Sequence, residues 1–454
     1  MLFNSLVFLF GFLPWAVLGF WLLSRHENAR LWFLLAASFV FYGYWDWRFA
    51  PLLAGSIIFN WLVAKSFYTY RRRWVLTAAI VANLLVLGLF KYLGFFSEIV
   101  RQTISWQGDF KRLALPLGIS FFTFHNIIYL ADLYRGRAPR YSFRDYALYI
   151  ALFPQILAGP LVRHNEIVPQ LPLPPARPGA AERLARGLAF LLIGLSKKIF
   201  LADALAAFVD PVFAQAATDP VTTGQAWIAA LGFPLQIYFD FSGYSDMAIG
   251  IALMLGFTLP FNFDAPYRAV TLAQFWRRWH MTLMRFLRDY VYIPLGGNRR
   301  GDARRCLNVI VTFLLGGLWH GAGWTFILWG ALHGIGLAVG VLWRKFMKPL
   351  PAALSWPILI AFLILTWIFF RARSMEAAQH FLTAMAGQGT HEAMSNVRTL
   401  LIACAFALIG PSSQQLVAKL KPAPWLAPFA AAVTAVALFK INGNPSYEFI
   451  YFHF

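Results

Sequence analysis

Between Leu307 and Trp343 the chain carries no aspartate, glutamate, lysine or arginine, and its ionisable side chains there are His320 and His333. A membrane helix needs about 20 mostly apolar residues. A run of this length therefore reads as two spans, 307 to 322 and 324 to 343, meeting at Gly321-Ala322-Gly323. Soluble domains are about one quarter charged, whereas this sequence is 13% charged and 59% hydrophobic. The fold class expected is all-α, a polytopic integral membrane protein.

Further spans are expected near 2 to 23, 31 to 45, 50 to 67, 74 to 91, 113 to 134, 187 to 206, 224 to 257, 355 to 371, 398 to 411 and 424 to 440. The stretch from 224 to 257 is too long for one upright span, so it reads as a tilted helix or a helix with a turn at Phe241-Ser242-Gly243. The apolar N-terminus lacks a basic region and a small-residue cleavage site, which reads as a retained first span. Lys and Arg concentrate in cytoplasmic connections. Arg25 and Arg30, then Arg71 to Arg73, then Arg135, Arg137, Arg140 and Arg144 mark alternate connections as cytoplasmic. The segment 207 to 223, with Asp210 and Asp219 and no basic residue, reads as external. Lys91, Arg101, Lys111 and Arg112 would form a basic external loop, against the trend. The net charge of +20 thus serves topology, and no nucleic-acid partner is expected.

Two apolar regions read as elements that do not cross. Residues 145 to 162 hold Phe153-Pro154-Gln155 and Ala158-Gly159-Pro160, which would break a span but suit a re-entrant hairpin. In 272 to 290, Trp276, His280, Leu283, Leu287 and Tyr290 recur at helical spacing, with Arg278 and Arg285 on another face. That pattern predicts one basic amphipathic helix at the cytoplasmic interface, ended by Pro294 and Gly296-Gly297-Asn298. The Pro-rich stretch from Pro169 to Pro178 reads as a cytoplasmic loop.

An imidazole at bilayer depth is costly and is a functional candidate by default. His320 lies between tryptophans and glycines, and His280 lies on the apolar face of its element. Acyl transfer needs a base for the attacking hydroxyl, a donor for the oxyanion and a site that excludes water. A recessed histidine meets the first and third needs, while a histidine packed in the core and bonded to a carbonyl is the competing reading. Arg277, Arg278, Arg285 and Arg288 could hold a phosphorylated donor, although topology alone also explains them. Asp240 and Asp246 sit in an apolar run and need partners; Lys197 and Lys198 are candidates, with snorkelling to the interface the fate expected of at least one. No metal site is expected, since the histidines lack ligand spacing. Cys306 and Cys404 suggest no disulfide.

Three stretches, Phe275-Trp276-Arg277-Arg278-Trp279-His280-Met281-Thr282-Leu283, Arg288-Asp289-Tyr290-Val291-Tyr292-Ile293-Pro294-Leu295-Gly296-Gly297 and Gly316-Gly317-Leu318-Trp319-His320-Gly321-Ala322, resemble the membrane-bound O-acyltransferase family. Within it they are most similar to the membrane subunits that O-acetylate alginate and related polysaccharides. The resemblance extends through Phe153-Pro154-Gln155, Ala158-Gly159-Pro160, Asp240 to Asp246 and Phe449-Ile450-Tyr451-Phe452, so that one domain over 1–454 is expected. It implies a helical ring around a central tunnel, to which the apolar stretches above contribute about 11–12 membrane helices, with re-entrant and amphipathic helices besides. His320 matches the family's catalytic histidine and His280 its second functional one. The position of His125 is a glutamine in the family, which leaves His125 without a carried-over role. Trp319, Trp276, Arg277, Arg278, Asp240, Asp246, Gln155 and Asp289 are the candidates for lining the passage or holding the donor.

The function expected is an O-acyltransferase of the bacterial inner membrane. It would pass an acetyl group from a cytoplasmic thioester, acetyl-CoA or an acyl carrier, toward a secreted polysaccharide. No bound cofactor is expected, and a separate periplasmic acetyltransferase is the expected partner. Two alternatives remain at this point: D-alanyl transfer to teichoic acids, and a small-molecule transporter.

Overall fold

The computed structural model describes residues 1–104, 114–389, 394–420, 426–443 and 449–450, and all regular structure among them is helical. Two compact units divide the chain: residues 1–192 with 244–260, and residues 193–243 with 261–454.

The first unit contains α1 (Leu13–Leu22), α2 (Glu27–Gly43), α3 (Ala50–Tyr70), α4 (Arg73–Ile104), α5 (Ile119–Tyr134), α6 (Phe143–Ala151), α7 (His164–Ile167) and most of α8 (Ala180–Ser196). Local chemistry sets several of these ends. Pro51 opens α3, where its missing N–H costs nothing. Ser142 caps α6 by accepting the Asp145 N–H at 3.1 Å. The element expected to be re-entrant is α6 followed by a turn, with every residue from Tyr146 to Val162 buried. His125 Nε2 accepts the Val162 N–H at 3.3 Å, so this histidine supports that turn. The Pro-rich stretch is likewise anchored: buried Arg30 donates to the Leu171 and Pro172 carbonyls at 2.9 and 3.2 Å.

The second unit contains α9 (Asp203–Gln215), the greater part of α10 (Thr223–Met254), α11 (Leu272–Trp276), α12 (Met281–Leu287), α13 (Gly301–His320), α14 (Trp324–Phe346), α15 (Ala352–Arg371), α16 (Met375–Thr383), α17 (Val397–Leu408), α18 (Ser413–Lys419) and α19 (Leu426–Gly443). The charge-free run folds as the antiparallel pair α13 and α14, turning at Gly321 to Gly323 as expected. A Cβ on Gly330 would lie 2.4 Å from the Phe313 carbonyl oxygen, and one on Gly317 would lie 2.3 Å from that of Phe326. Glycine at both positions lets the two backbones touch.

Three expectations change. Helix α10 runs through Phe241-Ser242-Gly243 without a turn. Gly243 serves packing instead, since a Cβ there would lie 2.8 Å from the Gly194 carbonyl oxygen. The span read as ending at 91 continues as α4 to Ile104, which places Lys91 and Arg101 on a helix and not in a loop. Lys111 and Arg112 lie outside the described residues. Finally, four helices among the described residues are long and apolar enough to cross a membrane, or five with the bent pair α17 and α18. The wider expectation of 11–12 counted apolar stretches. Of these, α2, α5 and α8 are only 16 or 17 residues long, and α10 carries Gln236, Asp240, Ser242, Ser245 and Asp246 in its buried middle.

Candidate active site

The segment 272–290 is not one helix. It is α11, a turn through residues 277–280, α12, and a wider helical turn over Arg288–Tyr292. His280 sits at the break with φ +43°, in the left-handed region that side chains other than glycine rarely occupy. The amphipathic pattern survives because the break reorients the chain while keeping the same residues inward. Trp276, His280, Leu283 and Leu287 are all buried.

A short extended segment holds the turn in place. Asp264 N–H donates to the Arg278 carbonyl at 2.9 Å, and Met281 N–H donates to the Asn262 carbonyl at 2.9 Å. The Asn262 side chain completes the clamp. Its Oδ1 is 3.0 Å from His280 Nδ1 and 3.0 Å from Thr282 Oγ1, and it accepts the Thr282 N–H at 3.4 Å.

His280 is fully buried, with the Phe241 ring edge-on at 4.6 Å and the Trp319 ring at 6.1 Å. His320 closes α13 and is 5% exposed. Its ring lies 4.7 Å from Trp319, 5.1 Å from Trp329 and 5.0 Å from Phe370. One indole therefore touches both imidazoles, and the rings around them exclude bulk water.

His333 has a different character. Its Nδ1 accepts the indole N–H of Trp276 at 3.2 Å, and its Nε2 is 3.1 Å from Thr366 Oγ1. The Thr366 hydroxyl donates to main-chain carbonyls of α15, so His333 donates to it through Nε2–H. Both ring nitrogens are thus committed to structure. Trp276, expected near the substrate, spends its indole N–H on His333.

Asp240 is buried and paired. Lys198 Nζ lies 2.8 Å from Asp240 Oδ1 and 2.9 Å from Asp203 Oδ1, and Asp240 Oδ2 accepts the Ile450 N–H at 2.7 Å. The expected Lys–Asp pairing is present, with Asp203 as an additional member. Lys197 does not snorkel freely; it donates to Ser413 and Ser242 at 2.7 and 3.3 Å. Asp240 directly precedes Phe241, whose ring packs against His280.

Of the other candidates, Arg277 is exposed and Arg278 half-buried. Asp289 forms an ion pair with exposed Arg288 at 2.7 Å. Gln155 and Asp246 are buried in the first unit, where Gln155 Nε2 donates to the Tyr149 carbonyl at 2.7 Å. Asn262 was missed, because a loop asparagine has no periodicity to betray it. Its place between Phe261 and Phe263, which demands a partner for the amide, was the available signal.

Comparison with known proteins places the whole chain. The model of the membrane-bound O-acyltransferase family matches residues 66–377. The chain is 42% identical over 427 residues to a peptidoglycan O-acetyltransferase of Helicobacter pylori, covering 85% of this chain and 80% of the relative. It is 41% identical over 401 residues to the probable alginate O-acetylase AlgI of Pseudomonas aeruginosa, covering 86% and 76%. A teichoic acid D-alanyltransferase of Streptococcus thermophilus is 28% identical over 245 residues, covering 51% and 58%. With a family match across most of its length and both histidines buried against Trp319, the chain belongs to the membrane-bound O-acyltransferases.

Proposed function

We propose that this enzyme takes an acetyl group from a cytoplasmic thioester, acetyl-CoA or an acyl carrier, and delivers it across the inner membrane for O-acetylation of a glycan outside the cytoplasm. One observation carries the reading: His280 and His320 share contact with Trp319 in surroundings that exclude water. Water would hydrolyse the thioester, so its exclusion protects the donor.

His320 is the general base or acyl relay, and His280 serves the donor side. As the acceptor oxygen attacks the thioester carbonyl, the imidazole takes the hydroxyl proton. Collapse of the tetrahedral intermediate breaks the C–S bond, and the proton passes to the departing thiolate. Arg277 and Arg278 are the candidates to hold a phosphorylated donor. A separate periplasmic acetyltransferase completes the transfer; a detergent pull-down of the tagged enzyme from cells recovers such a partner, and recovery of none counts against it.

Relatives named for alginate and for peptidoglycan acetylation support a glycan acceptor of either kind. D-alanyl transfer has weaker support, because its named relatives are less similar and align over less of the chain. Family membership decides for an enzyme over a transporter. The test compares cells carrying wild-type enzyme and His320→Ala. Acetyl esters should disappear from secreted polysaccharide or from the wall while the variant keeps its normal level in the membrane. Unchanged acetyl content in both polymers would sink the assignment.

A further inference from the structure

We infer that Asn262 is a positioning residue that fixes the tautomer of His280, placing the proton on Nδ1 and the lone pair on Nε2. The inference rests on the functional reading of His280 above. Its physical basis is the set of donors around one amide oxygen. The Thr282 N–H can only donate, and it points at the Asn262 side chain from 3.4 Å. The amide therefore turns its oxygen, not its NH2, toward this corner. The same oxygen lies 3.0 Å from His280 Nδ1 and 3.0 Å from Thr282 Oγ1. An oxygen acceptor facing Nδ1 requires a proton on that nitrogen, and in a neutral imidazole Nε2 is then the base.

The clamp is built to last. Asn262 also ties its own carbonyl to Met281 N–H, and Asp264 N–H is tied to the Arg278 carbonyl, so the asparagine and the turn move together. The ring of His280 is held edge-on to Phe241, which limits its rotation. The backbone at His280 is left-handed, a strain that persists only where the surroundings over-determine it. His333 provides the contrast within the same unit, since its hydrogen bonds require the opposite tautomer. Two buried histidines thus carry their protons on different nitrogens, and the one against Trp319 is arranged as a base through Nε2.

The experiment uses full-length enzyme in detergent with acetyl-CoA as donor, and it has a spectroscopic and a kinetic arm. In histidine-selective 15N spectra, with His280→Ala as the assignment reference, wild-type His280 shows a protonated Nδ1 and an unprotonated Nε2. Asn262→Leu removes the acceptor and loses this pure signature, whereas Asn262→Asp retains it. Kinetically, Asn262→Leu lowers kcat by at least about 10-fold with little change in KM, as expected when the imidazole that serves the donor side is left in mixed tautomers. Asn262→Asp keeps most of kcat but moves the acid limb of the rate profile to higher pH, because a carboxylate beside Nδ1 stabilises the imidazolium. Thr282→Val removes one donor to Asn262 and leaves the profile where it was. A wild-type spectrum with the proton on Nε2, or an Asn262→Asp profile identical to wild type, overturns the inference. The Asp variant preserves the buried acceptor, so it keeps the test decisive if the Leu variant does not fold. If wild-type enzyme and His280→Ala show the same turnover, the failure belongs to the functional reading and not to Asn262.

Discussion

At the residue scale, His280, His320 and His333 show that burial alone does not identify a catalyst. His333 is as buried as His280, yet both of its nitrogens are committed to Trp276 and Thr366. Replacing it with Phe leaves the buried indole N–H of Trp276 without its acceptor. This should cost about 1–3 kcal/mol of stability, read as a lower Tm in detergent, while the pH profile of the surviving enzyme stays unchanged. His320→Ala should do the reverse, lowering turnover by roughly 100- to 10,000-fold with little effect on Tm. Sequence made His280 and His320 legible because an intramembrane imidazole is expensive, and family motifs ranked them. It could not separate either from His333 by chemistry, since the partners come from α11 and α15, remote in the chain. Lys198 is a different kind of residue. Removing it as Lys198→Met leaves two buried carboxylates without their cation and should destabilise by about 3–5 kcal/mol. Combining it with Asp203→Asn and Asp240→Asn should restore much of that loss, as thermal unfolding of the triple variant would reveal.

At the element scale, hydrophobic pattern reported correctly which residues face inward and failed to report where the backbone breaks. The segment 272–290 keeps a helical period across a turn because the four residues of that turn advance the chain by about one helical repeat. Nothing in the identity of His280 announces φ +43°. Glycine tolerates that conformation without cost, so His280→Gly and His280→Ala should both be inactive, with the glycine variant about 1 kcal/mol the more stable. Equal or reversed stabilities would show that the backbone there is not strained. Glycines misled in the opposite direction in α10, where Gly243 suggested a turn but accommodates the Gly194 carbonyl. In α13 and α14, Gly317 and Gly330 let the two backbones approach closely. Gly330→Val should force the pair apart, shift His320 at the end of α13, and reduce both folded yield and activity by more than a surface substitution could.

At the scale of the whole molecule, composition assigned the class before any element was placed. A chain with 13% charged residues and 59% hydrophobic ones cannot expose its helices to water without unpaid apolar area. The polar groups that remain are gathered inside: Arg30 on the carbonyls of the Pro-rich stretch, Lys198 on two aspartates, and His280 on Asn262. Sequence offered the Lys198–Asp240 pair because a buried acid needs a cation, but Asp203, the carbonyls that hold Arg30 and the clamp of Asn262 carried no such signal. Cysteine labelling from the outside of intact cells should modify a residue introduced at 218 and spare one introduced at 72, and the reverse pattern would invert the topology.

The hydrogen bond from Ile450 N–H to Asp240 gives a segment remote in sequence a mechanical connection to the surroundings of His280. Asp240 precedes Phe241, the ring that braces His280, and the main-chain amide of Ile450 supplies part of what satisfies that carboxylate. A chain cut back before Phe449 would return an acceptor lone pair to an apolar interior and loosen the residue beside the brace. Engineering of this enzyme is therefore safer at other positions than at its last residues, where an affinity tag or a truncation acts on the histidine from more than a hundred and fifty residues away.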